Sequence, residues 1–531
     1  MEKSPRACIP CSKNKRRCDR TLPSCGLCAR LRKSCEFPGN SGEVHSLRQR
    51  VQQLEHEIAS RSTASSSHSP STLCGDDFHD YRVSNTSVLR FQHLFIDSDL
   101  QESVKLMHIP YRAYSLPSPV LSELGDAGQR ASIANAYFKT VHEWMPIIGK
   151  QKWKRLLDPA FGSDLKADQS LLLLCMKLIQ HIPEDVHDAM RCGLYMTAKQ
   201  FATAVETAGF YSLTRVQSNI LIAVYEMGHG IFPAAYMTLA SCAAQAIALG
   251  LHDDKAPQIL ERPGNHAEWE ERLRTFWMIR ILDRYITAGG DRRPLFTEEA
   301  RSDSHLPTDD DAWDHGHASS PDSMLLSSLD CISASPFARV AQASHLLGQV
   351  IQHCNKTPED FGAVKSSIEL LTSVTNSLLQ LLTKDEQSTF HFRNAIALCL
   401  SALLKLYDNH SCDSYSRTLQ GTASPRELSL RREVTEDSVR RGRETVEVLL
   451  GFRSILEPRD DAPWMLHCFY KSAANLAWYG SAVSPLEAQT LGSKKATCVD
   501  FLQSASKRWR VADAYLEALC VVEEGLKCGT Y

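Results

Sequence analysis

Six cysteines crowd the first 35 residues: Cys8, Cys11, Cys18, Cys25, Cys28 and Cys35. They read Cys-x2-Cys-x6-Cys, then six residues, then Cys-x2-Cys-x6-Cys, so the second half repeats the first at an offset of 17. Structural zinc takes four tetrahedral ligands, with thiolate bonds of about 2.3 Å. One ion would leave two cysteines spare. Two ions need eight ligand positions from six sulfurs, so two sulfurs must each bridge both metals. The repeat therefore predicts a pseudo-symmetric cluster of two zinc ions. A segment this short cannot hold itself together by apolar burial, so metal binding supplies most of its folding free energy, on the order of 10 kcal/mol. A disulfide framework is the competing use of six cysteines. Met1-Glu2-Lys3-Ser4-Pro5-Arg6 has no apolar core of a secretory leader, which favours a reducing compartment and metal over disulfides.

The residues between the cysteines are cationic. Ser12-Lys13-Asn14-Lys15-Arg16-Arg17 fills the gap between the second and third cysteines, and Ala29-Arg30-Leu31-Arg32-Lys33-Ser34 fills its counterpart. Residues 1–35 hold ten Lys/Arg and two Asp/Glu, a net of +8, so residues 36–531 carry −11 of the total −3. Six thiolates and two Zn²⁺ would leave the module about +6. A basic head on an acidic body is the pattern of one small module meeting nucleic acid. Phosphate neutralisation supplies affinity, and Lys or Asn at a helix end can read base edges. The run Lys13–Arg17 also has the composition of a nuclear import signal.

These residues carry a family resemblance. The cysteine spacing, the Lys/Arg run after the second cysteine and Pro23 in the connecting loop resemble the DNA-binding domain of the fungal binuclear zinc cluster transcription factors. The resemblance implies that Cys8 and Cys25 bridge the two zinc ions, that Cys11 and Cys18 complete one, and that Cys28 and Cys35 complete the other. It implies double-stranded DNA as partner, with Asn14 and Lys15 approaching the bases, commonly at CGG triplets. Lys13, Arg16 and Arg17 complete the expected DNA-binding set.

Around this module the chain divides into five expected parts. The zinc module covers 6–37 and ends at Pro38-Gly39-Asn40-Ser41-Gly42. Val44, Leu47, Val51, Leu54 and Ile58 then step by 3, 4, 3 and 4, as a and d positions do. In that frame Glu43–Arg48 and Arg50–Glu55 pair across a parallel seam, so 43–59 is a short dimerisation coiled coil and the partner is a second copy. The Ser-rich stretch that follows opens a linker, 60–130. Residues 131–310 form a helical regulatory domain, and 311–531 a C-terminal helical region.

The fold class is all-α. Apolar residues recur at helical spacing in Ser170–Gln180, Ser218–Met227, Glu268–Tyr285, Phe337–Cys354, Val364–Thr383, Asn394–Tyr407 and Val434–Phe452. Residues 408–427 look like a loop or insertion. The uncharged stretch Ala234–Leu251 is too poor in Leu, Ile and Phe to span a membrane and reads as a fully buried helix. Tyr137-Phe138, His142 through Ile147, Ala234 through His252, Arg272 through Trp277, Asp283-Arg284, Gly290, Arg293-Pro294 and Leu306-Pro307 resemble, in order, the middle regulatory domain of the same family.

Catalytic readings find little support. His142-Glu143 lacks a second histidine four residues on. Asp309-Asp310-Asp311, Asp314, His315 and His317 read as a solvated acidic loop within 301–322. His229, between Gly228 and Gly230, reads as a packed turn residue, and Arg272, Arg274 and Arg280 as capping and pairing within the body. The twelve other cysteines are scattered singly, as small buried hydrophobes are. The expectation is a nuclear, sequence-specific transcription factor of RNA polymerase II genes, acting through the transcription machinery and pathway-specific, in the manner of a secondary-metabolite cluster regulator. A small-molecule effector site in the body is compatible with it. The alternative is a ligand-binding or enzymatic helical protein with an appended zinc module.

Overall fold

The computed structural model describes residues 6–35, 95, 114–158, 165–290, 292–316, 324–327, 334–356, 361–411, 424–453, 456, 462–481 and 483–528. The chain separates into two compact units, Met1–Val83 and Ser84–Tyr531. The small unit contains two one-turn helices, α1 (Ile9–Lys13) and α2 (Gly26–Arg30). The expected coiled coil at 43–59 lies outside the described residues.

The large unit is built from helices whose starts are written in the sequence. It begins with α3 (Ser118–Leu124) and α4 (Ala127–Lys139), the latter opened by a reciprocal capping box between Asp126 and Gln129. A 3₁₀ turn at Val141–Glu143 leads to α5 (Lys150–Leu156), α6 (Ala167–Gln180), α7 (Val186–Arg191), α8 (Gly193–Thr207) and α9 (Leu213–Gly228). Then come α10 (Ala234–Ala248), α11 (His266–Ala288), α12 (Asp310–Asp314) and α13 (Pro336–Asn355). The rest comprises α14 (Phe361–Leu382), α15 (Glu386–His391), α16 (Arg393–Ser411), α17 (Pro425–Gly451), α18 (Met465–Ser481), α19 (Pro485–Ala505) and α20 (Val511–Lys527). Ser335, Ser424 and Ser484 each cap a helix that has Pro at its first turn, where the missing N–H costs nothing. Among the described residues there is no strand; His305 and Leu325 make an isolated antiparallel bridge.

One apolar core runs from Val120 to Leu519, so it crosses the division expected at 310. It also takes in α3 and α4, which begin inside the stretch expected as linker. Leu124 and Val120 face α6, and that contact orders a segment whose own helical signal is weak. The central helix is α9, buried from Arg215 to Gly228 and wrapped by α6, α8, α10 and α11. Gly228 lies under Trp509, whose ring would stand 2.1 Å from an added Cβ, so only glycine lets the two approach. His229 beside it is buried, as its position between two glycines suggested.

The Ala234–Leu251 stretch differs from expectation. It is helical, but only one face is buried: Ala235, Leu239, Cys242, Ala243 and Ala246. Met237 on the other face is 67% exposed. Small side chains let α10 lie close on α9 without being surrounded. Among the described residues no helix is long and apolar enough to cross a membrane.

The acidic segment is the second correction. Asp309, Asp311 and His315 are exposed as expected, but the segment is a capped one-turn helix, α12, whose Asp310 and Asp314 turn toward the core. Asp309 accepts from Ala312 N at 2.8 Å. Arg274, fully buried on α11, donates to Glu270 at 2.7 Å, to Asp310 at 2.6 Å and to Thr308 O at 2.8 Å, and its guanidinium lies 4.4 Å from the Trp313 ring centre. Asp314 meets His142 at 2.8 Å and Lys150 at 3.2 Å. The Asp310 carboxylate faces inward because the buried Arg274 needs it; an unpaired buried charge costs several kcal/mol. His317 lies outside the described residues. Of the other two arginines, Arg272 donates to Glu261 O, and Arg280 stacks on Phe276 and Trp277.

Asp283 and Arg284 make a similar knot one helical stretch on. Asp283 accepts from Thr297 N at 2.9 Å and Phe296 N at 3.1 Å, while Arg284 reaches Glu299 at 3.2 Å and Glu298 O at 3.0 Å. Among the residues that carried the resemblance in the body, Arg274, Trp277, Asp283 and Arg284 fasten the segments after α11 to its buried face.

Candidate zinc centre and nucleic-acid interface

Cys8 and Cys25 are the N-caps of α1 and α2, both extended, with φ/ψ of −61°/151° and −69°/147°. Each helix runs for one turn, and its backbone bonds repeat at the 17-residue offset. Ser12 N and Ala29 N donate to Cys8 O and Cys25 O, both at 2.9 Å. Arg16 N and Lys33 N donate to Cys11 O and Cys28 O, at 3.0 and 3.1 Å. The sequence repeat is therefore a structural one.

The cysteines converge. Two sets of four have their sulfurs within 4.8 Å of one another: Cys8, Cys11, Cys18, Cys25, and Cys8, Cys25, Cys28, Cys35. Cys8 and Cys25 belong to both. Four sulfurs at tetrahedral corners about 2.3 Å from a zinc ion stand about 3.8 Å apart. Here the Sγ separations are 3.6 Å for Cys8–Cys25, 3.7 Å for Cys8–Cys28 and Cys11–Cys25, and 3.8 Å for Cys8–Cys18. Cys8, Cys11, Cys25 and Cys28 are buried, Cys18 and Cys35 half-buried. Burial pushes the Cys8 and Cys28 thiols up to about 12 in the absence of metal, so a cationic centre is what would hold them as thiolates. N–H groups point at the sulfurs as well: Cys28 N at Cys25 Sγ, 3.4 Å, and Cys25 N at Cys35 Sγ, 3.2 Å. The donor set fits two zinc ions.

One residue overlooked in the sequence reading ties the two halves together. Both carboxylate oxygens of Asp19 accept from Gly26 N, at 2.9 and 3.1 Å, bonding the loop after Cys18 to the first residue of α2. A Cβ at Gly26 would come within 2.5 Å of Asp19 Oδ2, so a side chain there would have to displace the carboxylate from this bond. The only advance signal was an acidic residue between the cysteines of a basic module.

Lys13, Asn14, Lys15, Arg16 and Arg17 are all exposed, at the end of α1 and just beyond it. Asn14 is the C-cap, and its Nδ2 donates to Pro10 O at 2.8 Å. That bond turns the amide back onto its own helix and leaves Lys15 as the more available of the two residues expected to meet bases.

Two family models match the chain. The fungal Zn(2)-Cys(6) binuclear cluster domain matches residues 6–43, and the fungal specific transcription factor domain matches residues 134–409. The chain belongs to the fungal binuclear zinc cluster transcription factors. Its cofactor is zinc, two ions in the cluster. Transcription factors of this family bind DNA, and this chain is a regulator by family. The match at 134–409 runs past the boundary expected at 310, as does the core. Among similar proteins, Transcription factor BOA15 of Botryotinia fuckeliana is 39% identical over 184 residues, 34% of this chain and 99% of that protein. The Abscisic acid cluster transcription factor abl7 of Leptosphaeria maculans is 25% identical over 335 residues, 55% of each chain. The Citrinin biosynthesis transcriptional activator mrl3 of Monascus ruber is 24% identical over 343 residues, 59% of this chain and 65% of that protein. The chain thus spans between half and two thirds of the length of the last two.

Proposed function

We propose that this protein is a nuclear, pathway-specific regulator that binds CGG-like half-sites in duplex DNA and controls RNA polymerase II transcription of a biosynthetic gene cluster. The observation that carries this reading is the pair of sulfur tetrads sharing Cys8 and Cys25 beneath an exposed basic turn. In it, Cys8 and Cys25 bridge the zinc ions, Cys11 and Cys18 complete one site, and Cys28 and Cys35 the other. Zinc supplies the fold of the module; the protein's own residues do the reading. Lys15 meets a base edge, and Lys13, Arg16 and Arg17 neutralise phosphates. Residues 43–59 join two copies, so each presents one cluster to a half-site. The names of the abscisic acid and citrinin relatives support the restriction to a biosynthetic pathway.

Transcript profiling of a strain lacking the gene tests the pathway assignment. A contiguous set of biosynthetic genes should lose or gain expression together. A diffuse response with no co-located set would point to a general regulator.

A further inference from the structure

Between the segment after α11 and the C-terminal turn of α13 lies a cleft of about 440 Å³. That size falls in the roughly 300–1,000 Å³ range of small-molecule sites. Leu295, Phe296 and Ile351 give it an apolar lining, and Glu298 and Lys356 stand on its walls.

The walls are held from behind. Asp283 accepts from Phe296 N at 3.1 Å and from Thr297 N at 2.9 Å. Asn355, the last residue of α13, donates from Nδ2 to Arg293 O at 3.1 Å and accepts at Oδ1 from Arg292 N at 3.2 Å. The cleft is therefore shaped before anything enters it, so little ordering cost falls on a ligand.

Its charges are of both signs. Glu299 also lines it, but both carboxylate oxygens are engaged, one with Arg284 and one with His345, each at 3.2 Å. That leaves the Glu298 carboxylate and the Lys356 ammonium, both exposed and neither in an ion pair among the described residues. One negative and one positive group beside an apolar lining select a molecule that carries the complementary pair. A simple amine would meet Lys356 as a like charge, and a simple carboxylate would meet Glu298 the same way.

We propose that this cleft binds a small zwitterion, its ammonium toward Glu298, its carboxylate toward Lys356 and its apolar carbons against Leu295 and Phe296. A bound ligand bridges the segment after α11 and the end of α13, which ties a metabolite to the stability of the body.

The test is thermal unfolding and calorimetric titration of the zinc-loaded full-length chain with four probes at millimolar concentration. L-Leucine carries its charges on either side of one carbon, and 6-aminohexanoate separates them by five methylenes; hexanoate and hexylamine each carry one of the two. A zwitterion should bind once per chain and raise the thermal midpoint, and which of the two does so measures the gap between the charges. Hexanoate and hexylamine should bind roughly tenfold more weakly, since each loses a charge-assisted hydrogen bond. Lys356→Met and Glu298→Gln should each weaken zwitterion binding by a similar factor. Lys356→Arg, which keeps the charge, and Lys384→Met, at an exposed lysine outside the cleft, should bind as wild type does. The side chains at 298 and 356 are exposed, so the midpoints without probe should match wild type; a variant whose midpoint falls is replaced by Lys356→Gln or Glu298→Ala. Binding of neither zwitterion, equal binding of hexanoate or hexylamine, or binding that survives either charge removal overturns the proposal.

Discussion

Lys15 and Arg32 stand 17 residues apart in the same left-handed conformation, φ 49° and 48°. Their N–H groups make the same bond, to Ser12 O at 3.2 Å and to Ala29 O at 3.3 Å. Such a φ is uncommon for a side-chain-bearing residue, and two at matched positions mark a repeated turn that aims an exposed cation out of each half. The halves are not chemically equal, however. The first turn continues Lys15-Arg16-Arg17, the second Arg32-Lys33-Ser34.

That inequality assigns different tasks. Lys15→Ala should cost about 1–3 kcal/mol of binding and relax preference at one base position. Arg16→Ala, Arg17→Ala and Arg32→Ala should weaken binding to all sequences alike and make the salt dependence shallower by roughly one unit per contact. Titration against matched and mismatched duplexes at several salt concentrations separates the two behaviours. Equal loss on both duplexes for Lys15→Ala would pass the base-reading role to Asn14, whose Nδ2 would first have to leave Pro10 O.

Membership of both sulfur tetrads sets Cys8 and Cys25 apart from the other four cysteines. Native mass spectrometry of the full chain should find two zinc ions. Cys8→Ser removes a ligand from both tetrads and should lose both ions; Cys18→Ser removes a ligand from one and should leave a population holding a single zinc. Identical losses would argue against a shared Cys8.

In the proposed reading, assembly rests on the heptad at 44–58. Leu47→Pro should turn a dimer into a monomer in sedimentation and abolish tight binding to a two-half-site probe while leaving weak binding to one half-site. A dimer that persists would place the contact in the body.

In the body, Arg274→Met should leave Glu270 and Asp310 facing each other without a cation and cost about 3–5 kcal/mol, read as a fall in the thermal midpoint. Asp314 adds a pH dependence. Burial opposes its charge, but His142 and Lys150 outweigh that and hold its carboxyl below the usual range. Its folded value is depressed, so the stabilisation is present above about pH 4 and lost as pH falls through the lowered value. Asp314→Asn should therefore be less stable than wild type at neutral pH, with the gap closing in acid.

The zinc site was legible because ligand spacing is its geometry: cysteines at 8, 11, 18, 25, 28 and 35 admit few alternatives. The long helices were legible because their apolar residues recur at helical spacing. Partners across the fold were not. Nothing local distinguishes Asp310 and Asp314, which meet Arg274 and His142, from solvated acids such as Asp311. The face of α10 that stays exposed, and the packing that orders 118–124, depend on neighbours distant in sequence. Asn14's bond to Pro10 O depends on a rotamer that the sequence leaves open.

Selection of bound duplexes from a random pool by the zinc-loaded full-length chain is the most direct measurement. Enrichment of sites containing CGG-like triplets, abolished by Cys25→Ser, is the predicted result. No enrichment over the starting pool, or enrichment that survives loss of the cluster, would contradict DNA reading through the zinc module.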